Sequence, residues 1–257
     1  MSGGDWNPAQ YERFREERRQ PFFDLLPLVR RYPDMQVVDL GCGTGELTRH
    51  LHERLGARET LGIDLSDAML ASCAARGGEG LRFVKGDFTQ LAPEPQYDLV
   101  FSNAALQWAP DHEKLLTRLT AALTERGQLA VQVPANHDHP SQTVAAAVAQ
   151  ELPFRDALRG YVRAPSVLLP EEYAALLDRL GYREQHVRLQ VYAHHLTAPT
   201  DVVEWVKGTL LIDYEQRLSE ELYLRFLADY RERLLPLLGD RRPYFFAFKR
   251  ILLWGHR

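Results

Sequence analysis

The chain lacks any run of roughly 18 apolar residues, the length that a bilayer-spanning helix needs. Its first stretch, MSGGDWNPAQYERF, also has no apolar core of signal-peptide length. Cysteine is scarce. Cys42 and Cys73 are the only two, they stand outside CxxC or Cys/His zinc spacing, and they make a poor disulfide framework. These absences predict a cytoplasmic protein in a reducing compartment with no membrane partner. An excess of positive charge is missing too: 31 Lys and Arg against 35 Asp and Glu leave a formal charge of −4. That balance provides no overall field for a phosphate backbone, so nucleic acid is not an expected partner. Basic pairs such as Arg18-Arg19 and Arg30-Arg31 are interleaved with acids, the pattern of solvated helix faces. His137, His139, His194 and His195 lack the spacing of a helical metal pair, and no metal is expected. Repeats and low-complexity tracts are absent, and a monomer is the expectation.

What is present is a chain of 257 residues, 45% hydrophobic, long enough for one substantial core and a smaller attached lobe. Short apolar runs at 36–40, 60–64, 81–85, 98–102 and 127–133 alternate with stretches at 46–55, 68–75 and 113–123 whose apolar positions recur three or four apart. This alternation predicts parallel strands joined by crossover helices in a doubly wound α/β sheet. After Pro134 the pattern changes: helices are expected at 141–152, 171–180, 201–211 and 219–235, with Gly181 as a stop, and strands at 188–195 and 244–254. The two late strands are expected to complete the sheet edge as an antiparallel pair. We therefore divide the chain into an N-terminal helical lid (1–35), a core (36–135), a cap insertion (136–170), a core continuation (171–197), cap helices (198–240) and a final core strand (241–257).

The strongest local signal is Val37-Val38-Asp39-Leu40-Gly41-Cys42-Gly43-Thr44-Gly45, a strand running into a glycine-rich turn and then a helix. Glycine there permits positive φ and close approach of a ligand to the backbone. A nicotinamide fingerprint would need a third glycine where this chain has Glu46, an acid poorly suited to a pyrophosphate. A GxGxG turn beside Asp39 suits a zwitterionic amino-acid tail instead, with backbone donors for its carboxylate and Asp39 for its ammonium. Asp64 closes the second strand, where a ribose diol can give it two hydrogen bonds; an exposed acid or helix cap is the alternative. Leu65 follows, Ser66 can cap the next helix, and Met69 can lie on a purine face or pack in the core. Asp87 could accept from an adenine amino group with Phe88 packed nearby, or simply shape a strand-end turn. Asn103 and Ala104 stand at the carboxyl end of a central strand, where ligands of open α/β sheets sit, with Trp108 just beyond.

In this order, residues 36–133 resemble the class I S-adenosylmethionine-dependent methyltransferases, which implies a Rossmann-like doubly wound sheet, mostly parallel with an antiparallel final strand, plus a helical cap. A closer likeness, to the bacterial trans-aconitate methyltransferase family, extends over nearly the whole chain. It is carried by Trp6-Asn7-Pro8-Ala9-Gln10-Tyr11, Phe14 with Glu17-Arg18, Asn103-Ala104 with Gln107-Trp108, Pro110-Asp111-His112, Ala130-Val131-Gln132-Val133-Pro134, and Glu204-Trp205-Val206-Lys207-Gly208-Thr209. The resemblance implies S-adenosylmethionine as donor, S-adenosylhomocysteine as product, and methylation of a carboxylate on a small organic acid. A carboxylate is already ionised at neutral pH, its pKa being about 4, so no general base is required. Cys42, Gly43 and Gly45 fall in the donor-binding loop under this reading.

On the N-terminal helix Tyr11, Phe14 and Arg18 share one face, positioned to close over the donor and meet a carboxylate, and Pro21 is expected to start the next helix. Tyr11, Arg18, Trp108, Arg163, Trp205, Ile212 and Arg250 are the substrate-pocket candidates. One departure bears on the acceptor. Where the family carries Leu-Arg-Pro, this chain has Leu211-Ile212-Asp213, so a cation is lost and an anion gained. That predicts an acceptor less charged and more apolar than trans-aconitate, and trans-aconitate itself as a poor substrate. A donor-binding regulator without turnover is the remaining alternative.

Overall fold

The computed structural model describes residues 15–257, with side chains from residue 19 onward. Its centre is one seven-stranded sheet of order β3-β2-β1-β4-β5-β7-β6. The strands are β1 (Gln36–Leu40), β2 (Glu59–Asp64), β3 (Leu81–Lys85), β4 (Tyr97–Asn103), β5 (Leu123–Pro134), β6 (Glu184–Leu196) and β7 (Tyr244–His256). β1 to β5 pair in parallel, and β7 runs antiparallel to both of its neighbours, so it alone reverses direction. The late pair completes the edge as expected, with the last strand inserted inside the sheet and β6 left at the rim.

Alternation along the strands fixes the layers. Val38 and Leu40 of β1 and Val100 of β4 point into one buried cluster with Leu116, Leu119 and Tyr173. Val37, Leu99 and Phe101 point into the other, with Phe22, Leu51 and Leu55. Successive side chains of a strand face opposite sides, so strands buried at nearly every position, with apolar residues on both sides, demand helices on both faces. β6, at the edge, instead alternates exposed and buried toward its end, with Tyr192 and Leu196 buried and Val191 half exposed.

The helices that cover the sheet follow local signals. α1 (Arg15–Leu25) presses Phe22 edge-on to Phe101, ring centroids 5.3 Å apart. Pro21 lies inside this helix and does not start a new one; the helix continues past the missing N–H because Phe22 and Leu25 are fully buried immediately after it. α2 (Glu46–Leu55) buries Leu51 and Leu55 and stops at Gly56, whose φ of 61° is the left-handed cap. α3 (Asp67–Cys73) is capped by Ser66, and α4 (His112–Ala121) by Asp111, whose side chain accepts from the Lys114 backbone N–H.

The remaining helices are α5 (Pro140–Ala149), α6 (Phe154–Ala157), α7 (Pro170–Arg179), α8 (Thr200–Lys207), α9 (Ile212–Glu215) and α10 (Glu220–Leu238). The single helix expected at 201–211 ends at Lys207 with Gly208 as its cap residue, and the chain turns before α9. α5, α8, α9 and α10 share a core of their own, in which Val148, Val202, Tyr214 and Phe226 pack against Phe246 and Phe248 of β7. Among the described residues, no helix is long and apolar enough to cross a membrane.

Candidate active site

The carboxyl ends of β1, β2 and β4 open into a cavity of about 680 Å³, roofed by the segment after α6 and by α9. A cavity at this end of a parallel sheet is where α/β folds hold ligands.

One end of the cavity is acidic. The turn after β1 has φ of 75°, 55° and 76° at Gly41, Gly43 and Gly45. A Cβ on Gly41 would stand 2.2 Å from the Cβ of Ala105, whereas one on Gly43 would meet nothing within 4 Å, so Gly43 keeps open space beside the loop. Gly43 and Ser66 each donate a backbone N–H to Asp64, at 2.9 Å to separate carboxylate oxygens. Asp39, 5% exposed, accepts from the Thr48 hydroxyl at 2.6 Å. Burial pushes its carboxyl up to about 7; the Thr48 hydrogen bond opposes this and the charge of Asp64 adds to it. Cys42, Leu65, Met69, Phe88, Asn103, Ala104 and Trp108 also line the cavity. Asn103 Oδ1 and Gln107 Oε1 are buried acceptors with no hydrogen-bond partner among the described residues, and buried polar atoms are rarely left so. Ala104 carries a positive φ of 56°, strain located at the end of β4 beside these groups.

The Pro110-Asp111-His112 motif supports this wall without entering it. Asp111 caps α4, and buried His112 donates from Nε2 to the carbonyl of Leu106, while its Nδ1 faces the Tyr173 hydroxyl. That bond holds the 3₁₀ turn Leu106–Trp108, and so Trp108, at the cavity.

At the opposite end stand cations. Arg163 stacks over Trp108, its guanidinium carbon 4.5 Å from the ring centroid, and reaches Asp213 Oδ2 at 3.2 Å. Arg217 stacks over Tyr161 at 4.0 Å and donates to the backbone carbonyl of Asp213 at 2.9 Å. Ile212 lines the same wall.

Several candidates lie elsewhere. Gly45 is outside the cavity lining and starts α2, packed against Phe83 and Cys73. Asp87 is absent from the lining; it caps the turn Phe88–Gln90 through Thr89, which satisfies its oxygen locally. Trp205 is buried in the cap core against His194, Phe246 and Phe248, because the apolar face of α8 turns toward β7. Arg250 sits 3% exposed within the sheet, near Gln132 and Phe248, away from the cavity. Tyr11, Phe14 and the side chain of Arg18 lie outside the described residues. Arg19 lines the cavity and pairs with Glu46 at 3.2 Å. Glu46 therefore brings an acid to the first turn of α2, where a pyrophosphate would lie in a nicotinamide enzyme. Among the described residues, no group of three or more His, Cys, Asp or Glu is arranged to hold a metal ion.

Residues sequence reading did not find are Tyr161, Gln107 and Arg217. Gln107 stands in the family motif beside Trp108 with no role of its own assigned by it, and Tyr161 and Arg217 lie in irregular segments, where periodicity carries no signal.

Comparison with known proteins agrees with this geometry. The methyltransferase domain family matches residues 37–127, the span that builds β1 to β4 and the acidic end. The trans-aconitate 2-methyltransferase of Deinococcus radiodurans is 45% identical over 258 residues, 98% of each chain. That of Variovorax paradoxus is 40% identical, over 90% of this chain and 89% of its own. Among solved structures, an S-adenosylmethionine-dependent methyltransferase from Archaeoglobus fulgidus superposes with a TM-score of 0.55 over 98% of this chain and all of that one, at 17% identity, and so shares the fold. A sheet of this order, a GxGxG turn beside two acids, and identity that runs through the cap as well as the core lead to one conclusion: the chain is a methyltransferase belonging to the trans-aconitate 2-methyltransferase family.

Proposed function

We propose that this enzyme transfers a methyl group from S-adenosylmethionine to a carboxylate of trans-aconitate, with the segments 136–170 and 198–240 forming a cap over the reaction. The observation that carries the reading is one cavity lined by the strand-end carboxylates Asp39 and Asp64 and, on the segments after α6 and α9, by the guanidiniums of Arg163 and Arg217. The residues present fit the donor. Asp39 is a buried carboxylate that an ammonium would ionise, Asp64 offers acceptors for a diol, and the open side of Gly43 leaves room for a ligand against the backbone. Asn103 Oδ1 is an unfilled acceptor at the same end.

When bound, the donor supplies an electrophilic methyl carbon, to which a carboxylate oxygen forms a bond while the carbon–sulfur pair returns to sulfur. The protein needs no base for this, because the carboxylate attacks as it stands. Its residues position and dry the reactants: Trp108 and Ile212 give the cavity apolar lining beside the guanidiniums, and holding an oxygen in line can contribute roughly 7–11 kcal/mol. The lost cation at position 212 suggested a less charged acceptor. Arg163 and Arg217 on the same wall supply positive charge, and the relatives that match end to end carry the tricarboxylate in their name, so that expectation is not retained.

A turnover screen of organic acids with methyl-labelled donor tests the proposal. Label should appear as a base-labile methyl ester of trans-aconitate. Label found only in an uncharged acceptor would overturn it.

A further inference from the structure

The anion gained beside Ile212 does not face an empty cavity. Asp213 lies between two guanidiniums, with Oδ2 3.2 Å from Arg163 and Oδ1 3.9 Å from Arg217, and its carbonyl takes a hydrogen bond from Arg217 Nη1. Each guanidinium is also fixed by an aromatic face, Arg163 on Trp108 and Arg217 on Tyr161, while the Tyr161 hydroxyl donates to Asp213 Oδ2 at 3.3 Å. Arg163 further donates to the carbonyl of Thr209. The polar contacts in this arrangement use Nη1 of each arginine. Nε and Nη2 of both meet no acceptor among the described residues, and both side chains line the cavity. An arginine has five N–H donors in a rigid fork, so each retains a face able to take a carboxylate through two parallel bonds.

From this we infer that Arg163 and Arg217 form a two-pronged grip for an acceptor bearing at least two carboxylates, and that Asp213 is the positioning residue that sets the spacing of the prongs. The inference rests on the proposed carboxylate acceptor and names the residues that select it. Two guanidiniums against one carboxylate leave this end with one net positive charge, enough to favour an anion without one prong repelling the other. Arg217 stands five residues after the position where the family carries its arginine, and it supplies from the turn after α9 the cation that Ile212 removed from the start of α9. The apolar Ile212 then faces the carbon skeleton between the charged groups. Neither stacked arginine can be replaced by lysine without losing the planar fork.

The test uses Arg217→Gln, at a partly exposed side chain whose loss leaves the core untouched, with Arg163→Gln as the more buried counterpart. Two readouts are taken: kcat/KM for trans-aconitate and for crotonate, a monocarboxylate, and calorimetric binding of trans-aconitate to the protein loaded with S-adenosylhomocysteine. Loss of charge-assisted bonds should lower the preference for trans-aconitate over crotonate on the order of tenfold to a hundredfold in Arg217→Gln, with the KM for donor unchanged. Asp213→Ala should raise the KM for trans-aconitate more than it lowers kcat, and Asp213→Asn, which keeps an acceptor for the Tyr161 hydroxyl but not the charge, should recover only part of the loss. An equal fall for both acids, or wild-type affinity for trans-aconitate in both arginine variants, would overturn the grip. Binding of trans-aconitate that depends on both arginines but gives no methylated product would instead sustain the grip and remove the proposed reaction.

Discussion

Asp64 accepts backbone N–H bonds at both carboxylate oxygens, from Gly43 and Ser66, so one side chain ties the glycine loop to the start of α3. Its removal should weaken S-adenosylhomocysteine binding on the order of 1–3 kcal/mol, through lost contact and through a loosened loop. Calorimetric titration of Asp64→Ala checks this, and an unchanged affinity in a folded variant would take Asp64 out of the donor site. Asp39 leads to a pH dependence. Burial raises its carboxyl to about 7, above the ordinary value of about 4, so across that window the folded protein holds a proton that the unfolded chain has lost. The contribution of Asp39 to stability is therefore present at low pH and is lost as pH rises through about 7. A bound ammonium favours the ionised form, so donor binding near pH 6, roughly a unit below that value, should expel a proton from the protein. Titrations in two buffers of different ionisation enthalpy should reveal that release in wild type and its absence in Asp39→Asn; identical release in both would reassign the proton to another group.

At the scale of elements, the sequence was clearest where burial imposes a period. β1 and β3 have the expected bounds and α2 runs from Glu46 to Leu55 as expected; β1 is buried along nearly its whole length and α2 has leucines four apart, which leave few alternatives, while β3, at the sheet edge, is bounded by Gly80 and Gly86. Cap elements were less legible: the helix at 201–211 breaks at Gly208, and the chain holding Tyr161 and Arg163 has no repeating pattern to read. The acidic end of the site could be read because Asp39 and Asp64 stand at or next to the carboxyl ends of β1 and β2. Of the arginine end, Arg163, Trp108 and Ile212 stand among the pocket candidates from sequence and do line the cavity, whereas Arg217 and Tyr161 carry no signal, because they come from separate irregular segments that meet only in the fold. The glycine loop yields an element-scale prediction. Gly41→Ala would set a Cβ 2.2 Å from Ala105 at a left-handed φ, and should cost about 1–3 kcal/mol for overpacking together with roughly 1–2 kcal/mol for the backbone. Ala105→Gly in the same chain relieves the clash and leaves the backbone cost. Urea unfolding of the single and double variants should show partial recovery; complete recovery would mean that the backbone of Gly41 bears no strain.

For the whole molecule, the arrangement that matters is polarity across one cavity. β1 and β2 deliver carboxylates to one end and the cap delivers guanidiniums to the other, while the sheet that carries the first and the apolar core that carries the second are joined through β7. Under the proposed function this arrangement would order two charged reactants head to tail. The most direct measurement is a single-turnover reaction with enzyme in excess over S-adenosylmethionine, trans-aconitate saturating, and both products quantified by mass. One methyl ester of trans-aconitate should appear for each S-adenosylhomocysteine formed. S-adenosylhomocysteine without the ester, or no donor consumption by protein that binds both ligands, would contradict the account.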